Sequence, residues 1–530
     1  MALFSSKSFL LKKESNTFGK KDTIISLVVM IVTIIIALAP MAISPMWNGE
    51  IYIEQHHQYE KLADSIIDGH VDLDYGPTDP KLLAMDNPYD PQARVDEGVV
   101  YHWDHAYYNG KFYMYFGVVP VILLFVPVKL VTGSTLTTMA ATRFVLALFI
   151  VGLFWLFRLL NRRFFKTMPL ALTLLMSVAL SFVSSWYIMD TPVLYCTAIA
   201  SGMCCQVWSF YFFIRGVFVQ KKNKKVIRDA VLGAIFGALV WGCRPTIGFA
   251  SLAVLPIAVV YIRKYMIMGY ECDGRVGELF LLYRLNLKNV VDFNKRENDK
   301  IKRKLIVSVI RNICVVAIPY IIIGVILMIY NYVRFDSFFE FGQSYQLTVA
   351  DQTAYGSFFE KFSLVDAING IATTFFNVNT NFVKNQFPFF NYSGVFIEFP
   401  ILFIGFAIFF KRVELKLKDD GIFGLTVALI IIPYLITIMA TVMTPYLLER
   451  YKSDFLFIMA IATFILAGEL NKTTRKEYKN KFRSLVSYLS IMAILGAFVL
   501  FVTPNDGNYV AYFPAKLETI CKCIFFGNSF

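Results

Sequence analysis

Acidic residues and histidines concentrate in one stretch of the chain, between Pro45 and Tyr115. This stretch holds thirteen Asp or Glu against four Lys or Arg, although the whole protein has a net charge of +13. All five histidines lie in it as well: His56, His57, His70, His102 and His105. Titratable groups gathered in one segment of an otherwise apolar chain indicate a site of acid–base or ligand-binding chemistry.

Three carboxylates of this stretch are candidates for a general base. Asp104 stands between His102, Trp103 and His105, so imidazoles can orient it and aromatic rings can surround a substrate. The alternative is that Asp104 is a turn residue. Glu50 and Glu54, just after the first apolar run, compete for the role, and their alternative is ordinary solvation at the membrane surface.

The histidines could also bind a metal ion. Imidazoles of His56, His57, His102 and His105 with the carboxylate of Asp104 would suit Mn or Zn. Their spacing matches no fixed motif, which favours histidines hydrogen-bonded to the loop or to a phosphate over a metal site. No cofactor is therefore firmly predicted, and a divalent metal at His56 and His102 stays an alternative.

The composition is that of a membrane protein. The 530 residues are 57% hydrophobic and 17% charged, with a mean hydropathy of +0.57; a soluble protein has about 25% charged residues. Apolar runs of about 17–25 residues predict an all-α polytopic protein with eleven transmembrane helices. They lie at 23–44, 139–160, 168–187, 192–214, 229–243, 245–262, 305–330, 393–410, 422–444, 451–470 and 484–503.

The basic residues predict the orientation. Most Lys and Arg fall in short loops, which the positive-inside rule places in the cytoplasm. This rule explains the positive net charge, so no nucleic-acid partner is predicted. The loops lie at 1–22, 158–166, 215–228, 263–304, 411–418 and 472–483. This assignment holds only if the apolar segment 116–133, with Pro120 and Pro127, does not cross, so we predict an interfacial or re-entrant helix there.

The predicted layout has three parts. A cytoplasmic N-terminus, 1–22, precedes a transmembrane domain, 23–503, and an exoplasmic C-terminal tail, 504–530, follows it. Within the transmembrane domain, 45–138 forms a long exoplasmic loop with the interfacial helix, 263–304 a basic cytoplasmic loop, and 331–392 a second exoplasmic loop. The protein is therefore expected in the plasma membrane as a multi-pass protein.

The first loop carries Y-x-x-L-A-x-x-I-x-x-G over Tyr59–Gly69, then Asn109-Gly110-Lys111 before an apolar segment. Asp190 follows the third span, and Arg244 lies in the turn between two later spans. These four features resemble the GT-C superfamily of polyprenyl-phosphate-sugar glycosyltransferases, which includes protein mannosyltransferases and the aminoarabinose transferase of lipid A. Two segments are similar to a bacterial branch of the superfamily: NPYDP at 87–91 and YHWDHAYYNGKFYMYFGVVP at 101–120.

The resemblance implies a GT-C-like fold and an enzyme, a glycosyltransferase that moves a hexosyl or pentosyl group. The sugar would come from polyprenyl phosphate and go, with inversion, to a glycan, lipid or protein of the cell envelope on the exoplasmic face. Better-known branches have an Asp-Glu pair before the first tyrosine of the loop, where this chain has Gln55 and His56, which leaves the base open. The alternative function is a lipid-linked saccharide flippase or polysaccharide transporter.

These expectations assign roles to individual residues. A catalytic role falls to Asp104, Glu50, Glu54 or Asp190. Binding of the donor phosphate falls to Arg244, Arg450, His105 and His57, since charge-assisted hydrogen bonds suit a phosphate. Binding of the acceptor falls to Trp103, Tyr107 and Tyr345, because aromatic rings can stack on sugars. For Arg244 and Arg450 the alternative is an interfacial anchor.

Overall fold

The computed structural model describes most of the chain, in seven stretches. They are residues 19–39, 57–190, 194–271, 295–353, 362–378, 392–443 and 447–502. Nine helices in these stretches are long and apolar enough to cross a membrane. The predicted all-α, polytopic architecture is therefore confirmed.

The first half of the chain contains the first helices and a small hairpin. In order they are α1 (Lys20–Leu38), α2 (Gln58–Ile67), α3 (Pro80–Ala84), α4 (Pro91–Asp96), β1 (Ala106–Tyr108), β2 (Lys111–Tyr113), α5 (Val121–Thr132, its first turn a π-helix), α6 (Thr138–Phe164), α7 (Leu170–Asp190), α8 (Leu194–Ile214) and α9 (Asn223–Trp241). A π-helical turn, Arg215–Val219, continues α8.

The regular secondary structure described in the second half is helical, and the described loop 336–353 has no helix. Its helices are α10 (Pro245–Gly248), α11 (Val254–Glu271), α12 (Lys295–Phe335), α13 (Leu364–Ile371), α14 (Val395–Glu398), α15 (Lys411–Asp419), α16 (Phe423–Met443), α17 (Ser453–Thr473) and α18 (Lys476–Val502). Short 3-10 helices at Phe249–Ala253, Pro400–Phe409 and Glu449–Lys452 join or precede some of them.

Two of the eleven predicted spans are not among these nine helices. The run at 229–243 is only the apolar end of α9, whose first turns carry charged residues including Asp229. The run at 393–410 forms α14 and the 3-10 helix Pro400–Phe409. Ten residues at a rise of about 2 Å each reach only about 20 Å, less than the roughly 30 Å of a bilayer core. The described residues thus contain nine candidate spans and some shorter apolar helices where the sequence predicted eleven spans, because apolar length alone does not reveal where a helix begins.

The segment 116–133 contains only the short helix α5. At 1.5 Å per residue this helix is about 18 Å long, so it is too short to cross a bilayer core. Ile122, Leu123, Leu130 and Val131 on α5 are exposed, while Val121 and Phe125 pack against Tyr59 of α2. This geometry agrees with the predicted interfacial helix.

The core of the protein is built around α17. Eighteen of its residues are buried, and α7, α16, α18 and the 3-10 helix Pro400–Phe409 pack against it. A side chain at Gly468 would lie 2.4 Å from the ring of Phe165, so glycine is needed where the loop after α6 approaches this helix. A buried helix of this kind gives residues at its ends fixed positions.

The described part of the long first loop forms a cap beside the N-terminal end of α6, which begins at Thr138. Its hairpin pairs β1 with β2 in antiparallel register, Ala106 opposite Tyr113. The two-residue turn is Asn109-Gly110, with φ angles of 49° and 79°. A turn with two positive φ angles matches the twist of a hairpin and favours Asn-Gly. The hairpin with this turn thus positions the residues just before β1, including Asp104.

Candidate active site

Asp104 lies in a stretch held from two sides. Its N–H donates to the carbonyl of Leu347 at 3.1 Å, and the N–H of Leu347 donates back to the carbonyl of His105 at 2.9 Å. The side-chain amide of Gln58, on α2, donates to the carbonyl of Asp104 at 3.0 Å. The φ angle of Asp104 is 60°, a left-handed conformation that Asp adopts more readily than most residues. The loop therefore holds this carboxylate in one orientation.

The carboxylate of Asp104 accepts two hydrogen bonds from tyrosines. The hydroxyl of Tyr115 donates to Oδ1 at 3.1 Å, and the hydroxyl of Tyr195, on α8, donates to Oδ2. Asp104 is only 4% exposed. Burial raises its pKa above the usual value, and the hydrogen bond from Tyr195, the positive charge of Arg450 and the hydrogen bond from Tyr115 oppose that rise. A buried carboxylate that keeps free lone pairs can accept a proton from a substrate.

A large cavity opens in front of Asp104. Its volume is about 510 Å³, the size of a typical small-molecule site. The lining is mixed, with polar groups beside Asp104 and apolar side chains from the spans. The polar part includes Trp103, Asp104, Tyr115, Tyr195, Arg244, Arg334, Gln343, Gln346, Arg450 and Tyr451; the apolar part includes Trp241, Phe249, Leu327, Met439, Met443 and Leu448.

Three arginines reach this cavity, each held in a different way. Arg244, in the turn before α10, donates through Nε to Asp454 at 2.6 Å, and Thr246 donates to the other oxygen of Asp454 at 2.9 Å. Burial lowers the pKa of Arg244, but the charge of Asp454 and its hydrogen bond more than offset this and raise it. The guanidinium of Arg450 lies over the ring of Tyr195, 4.1 Å from its centre.

Arg334, near the end of α12, is the arginine that the sequence reasoning missed. It is 3% exposed, donates to the carbonyl of Met114 at 2.7 Å and to the side chain of Asn331 at 2.7 Å, and lies over the ring of Tyr330. Its buried Nε has no hydrogen-bond partner among the described residues. It lies at the end of a long apolar run, where an arginine is equally typical of an interfacial anchor, so the sequence carries no signal for a site.

The structure brings together some of the predicted residues. Trp103, Asp104, Arg244 and Arg450 line the same cavity, although Arg450 is more than 340 positions from Asp104 along the chain. Trp103 is 40% exposed, so its ring is accessible to a ligand. Glu50, Glu54 and His56 lie outside the described residues, as does the side chain of Asp190, which ends α7.

The other predicted residues lie away from the cavity lining. His57, before α2, is 3.5 Å from the carboxylate of Glu60. Tyr107 packs on Phe112, 5.2 Å between ring centres, and Tyr345 packs on Tyr108 at 4.7 Å. Their rings thus help to build the cap. The neighbours of Tyr345 in the loop, Gln343 and Gln346, are the residues that reach the cavity instead.

His102 and His105 stabilise the cap next to Asp104. The ring of His102 stacks on Tyr75 at 3.8 Å. Nδ1 of His105 donates to the carbonyl of Trp103 at 2.8 Å, so Nε2 accepts from the hydroxyl of Tyr75 at 2.6 Å. Burial lowers the pKa of His105 to about 3, which makes the ring neutral at physiological pH. A neutral, buried imidazole with both nitrogens bonded does not offer a charge to a phosphate.

The metal site that the sequence left as an alternative lies partly outside the described residues. No group of three or more His, Cys, Asp or Glu in the described part of the chain is arranged to hold a metal ion. His102 is engaged with Tyr75, and His56 lies outside that part. A metal requirement remains an open prediction.

Comparisons with known proteins give one likeness. No protein-family model matches the sequence, and no curated protein matches it. The structure is similar to the crystal structure of the Archaeoglobus fulgidus oligosaccharyltransferase in the apo form, with a TM-score of 0.43 and 12% sequence identity. The likeness covers 94% of this chain and 58% of that one, so the chain spans little more than half the length of that protein.

Proposed function

We propose that this protein is a membrane glycosyltransferase that moves a sugar from a polyprenyl-phosphate donor to a cell-envelope acceptor. The observation that carries the proposal is the mixed cavity, where the Asp104 carboxylate and three arginines lie beside apolar side chains of the spans. Transfer from a lipid-linked sugar needs a base for the acceptor hydroxyl, cations for the departing phosphate and an apolar path for the lipid. The resemblance of the first loop to GT-C enzymes points the same way.

Asp104 is the proposed general base. Its carboxylate takes the proton of the acceptor hydroxyl, whose oxygen forms a bond to the anomeric carbon as the bond from that carbon to the phosphate oxygen breaks. The electron pair leaves with the phosphate. One base is sufficient for this inverting displacement, whereas a retaining enzyme needs a second carboxylate as nucleophile. Burial, which raises the pKa of Asp104, supports the role because a base is most effective with a pKa closer to the operating pH.

The arginines are the proposed binding site for the donor phosphate. Nε of Arg244 bonds Asp454, and within the described stretches its two terminal guanidinium nitrogens form no hydrogen bond, so they can donate to a phosphate. Arg450 is held by Tyr195, which also bonds Asp104, so a phosphate on Arg450 would lie near the base. Arg334 adds a third positive charge at the same cavity. Positive groups already in place where negative charge develops lower the barrier without further rearrangement.

The polyprenyl chain is proposed to leave through the apolar part of the cavity. Leu327 of α12, Met439 and Met443 of α16 and Phe249 line that part, and all belong to membrane-spanning segments. The positive-inside prediction puts this face of the protein outside the cytoplasm. A sugar donor there must arrive on a lipid, because nucleotide sugars and ATP are made in the cytoplasm.

The test is a transfer assay with purified protein and a panel of polyprenyl-phosphate-linked sugars. Asp104→Asn keeps the shape of the side chain but cannot take a proton, so transfer should fall by roughly 10²–10⁴-fold while donor binding persists. Asp79→Asn, in the same loop but exposed and bonded only to backbone and local groups, is the matched control and should stay active.

Two further variants test the rival candidates for the base. If Glu50→Gln or Glu54→Gln abolishes transfer while Asp104→Asn stays near wild type, the base lies at the end of the first span. If all three variants remain active, carboxylate catalysis by this loop is wrong. Movement of a labelled lipid-linked sugar across vesicles by the wild type, without transfer, would favour the flippase.

A further inference from the structure

A second candidate binding site lies far from Asp104, in a groove between α1, α6 and α7. Thr138, at the start of α6, bonds Glu60 of the cap. Arg158 and Asn161 lie more than five turns further along the same helix, about 30 Å away at 1.5 Å per residue. That distance equals the thickness of a bilayer core. The groove therefore opens at the membrane face opposite to the Asp104 cavity.

The buried amide of Asn161, a residue that lines this groove, has an unused acceptor. The hydroxyl of Thr173 donates to the carbonyl of Pro169 at 3.0 Å, so it can only accept from Asn161, whose Nδ2 lies 2.8 Å away. This fixes the amide orientation and leaves Oδ1 as the open end. Asn161 is 0% exposed and lines the groove, and Oδ1 has no hydrogen-bond partner within the described residues. Buried polar atoms are nearly always paired, so we expect a hydrogen-bond donor to bind at this oxygen.

Arg158 supplies positive charge to the same groove. One of its terminal nitrogens donates to Thr23 of α1 at 2.6 Å, which holds the side chain across the gap between the two helices. Its buried Nε has no hydrogen-bond partner in the described stretches. The positive charge of Arg162 and the negative charge of Asp22 also act on Arg158, so both signs of charge lie near the groove. A zwitterionic or anionic headgroup can meet both.

We propose that this groove binds the headgroup of a membrane glycerophospholipid. The phosphate bonds Arg158, and a small donor of the headgroup, an ammonium or a hydroxyl, bonds Oδ1 of Asn161. The inner volume is about 20 Å³, slightly more than the roughly 10–15 Å³ that one water needs. It admits a primary ammonium or a hydroxyl but not a trimethylammonium group.

The surroundings provide for the acyl chains. Leu27 and Met30 of α1 line the groove, and Leu27, Ile31 and Val28 on that helix are exposed. These apolar side chains continue from the groove along the lipid-facing side of α1. The site does not rest on the proposed transferase function, because it shares no lining residue with the Asp104 cavity.

The experiment compares lipid retention by the full-length protein from vesicles of phosphatidylethanolamine, phosphatidylglycerol or phosphatidylcholine, read by native mass spectrometry. We expect ethanolamine lipid, glycerol lipid or both to be retained roughly tenfold better than choline lipid, in line with one charge-assisted contact. Preference for the ethanolamine lipid alone identifies an ammonium, and preference for the glycerol lipid alone identifies a hydroxyl. Equal retention of choline lipid overturns the proposal.

Variants locate the preference. Asn161→Leu removes the acceptor and Arg158→Gln removes the charge, so each should abolish the preference. Arg162→Gln, an exposed arginine at the same helix end, lowers the general charge and should keep it. Thermal unfolding in choline lipid verifies folding; should Asn161→Leu not fold, Arg158→Gln carries the test. A preference that survives in the folded variants means that Asn161 binds only water, and the proposal fails.

Discussion

The hydrogen bond from Tyr115 to Asp104 is one of the contacts that determine the pH at which the proposed base becomes active. A donor to a carboxylate favours the ionised form, so the Tyr115 hydroxyl at 3.1 Å lowers the pKa of Asp104. Removing it in Tyr115→Phe must raise that pKa. The base works only when ionised, so the acid limb of the pH–rate profile should move to higher pH.

The size of the shift follows from the strength of such a bond. A hydrogen bond to a charged group is worth roughly 1.5–3 kcal/mol, and one pKa unit corresponds to about 1.4 kcal/mol. The bond at 3.1 Å is long for a charge-assisted contact, which favours a shift of about one unit. The rate below the limb should then fall about tenfold, while the plateau at higher pH changes little.

The assay is kcat/KM against pH with a polyprenyl-phosphate-linked sugar, for wild type and Tyr115→Phe. Tyr108→Phe is the control, because its hydroxyl bonds Asp336 at 3.3 Å on the exposed side of the hairpin. Its profile should follow wild type. A limb that stays in place or moves down in Tyr115→Phe would refute Asp104 as the titrating group and point to Glu50 or Glu54.

Two further predictions concern the donor and the orientation. Arg244→Gln or Arg450→Gln should weaken donor binding or turnover about 10–150-fold, because each variant loses one charge-assisted contact. Arg244→Gln also leaves the buried Asp454 without its partner. Adding Asp454→Asn to that variant should therefore restore thermal stability but not donor binding. Unchanged turnover in both single variants would make these arginines interfacial anchors. Cysteines introduced at 75–100 should react with an impermeant thiol reagent in intact cells, whereas those at 158–166 and 215–228 should not. Labelling at position 161 from outside would show that the orientation is the reverse of the predicted one.

Local chemistry in the sequence predicted the parts of the site that depend on neighbours along the chain. Asn109-Gly110 predicted a turn, and the hairpin has the two positive φ angles that this pair favours. Asp104 and Trp103 lie just before that hairpin, and both reach the cavity. Arg244 was found because a basic residue in a short turn between apolar runs must lie at a membrane face.

The rest of the site depends on tertiary packing that spacing does not reveal. Tyr195 bonds Asp104 from α8, a helix whose residues read only as an apolar run. In the loop before Leu347, side-chain direction decides whether Tyr345, predicted to bind the acceptor, reaches the cavity. Residues alternate sides in an extended segment, so Gln346 and Thr348 face the cavity while Tyr345 and Leu347 pack into the cap. The sequence showed an aromatic and amide-rich loop without showing its register.

The buried carboxylate also predicts a conflict between stability and activity. The pKa of Asp104 is higher in the folded protein than the ordinary value, because burial outweighs the tyrosine hydrogen bonds and the charge of Arg450. A raised carboxyl pKa means that the folded state binds the proton more tightly than the unfolded state. Stability therefore decreases as pH rises from the ordinary value through the raised one, and the cost is complete above it.

Asp104→Asn should consequently lower transfer by roughly 10²–10⁴-fold and yet leave the protein at least as stable as wild type at neutral pH. The amide carries no charge to bury, and of the hydroxyls of Tyr115 and Tyr195 one can still donate to its oxygen while the other turns to accept from its nitrogen. Thermal unfolding of wild type and variant from pH 4 to pH 8 measures this. The advantage of the variant should grow with pH, because only wild type ionises. A variant that is less stable at pH 8 than at pH 4, relative to wild type, would mean that the ionised carboxylate holds the loop together. Asp104 would then be a structural residue, since a base placed for catalysis at the expense of stability shows the opposite trend.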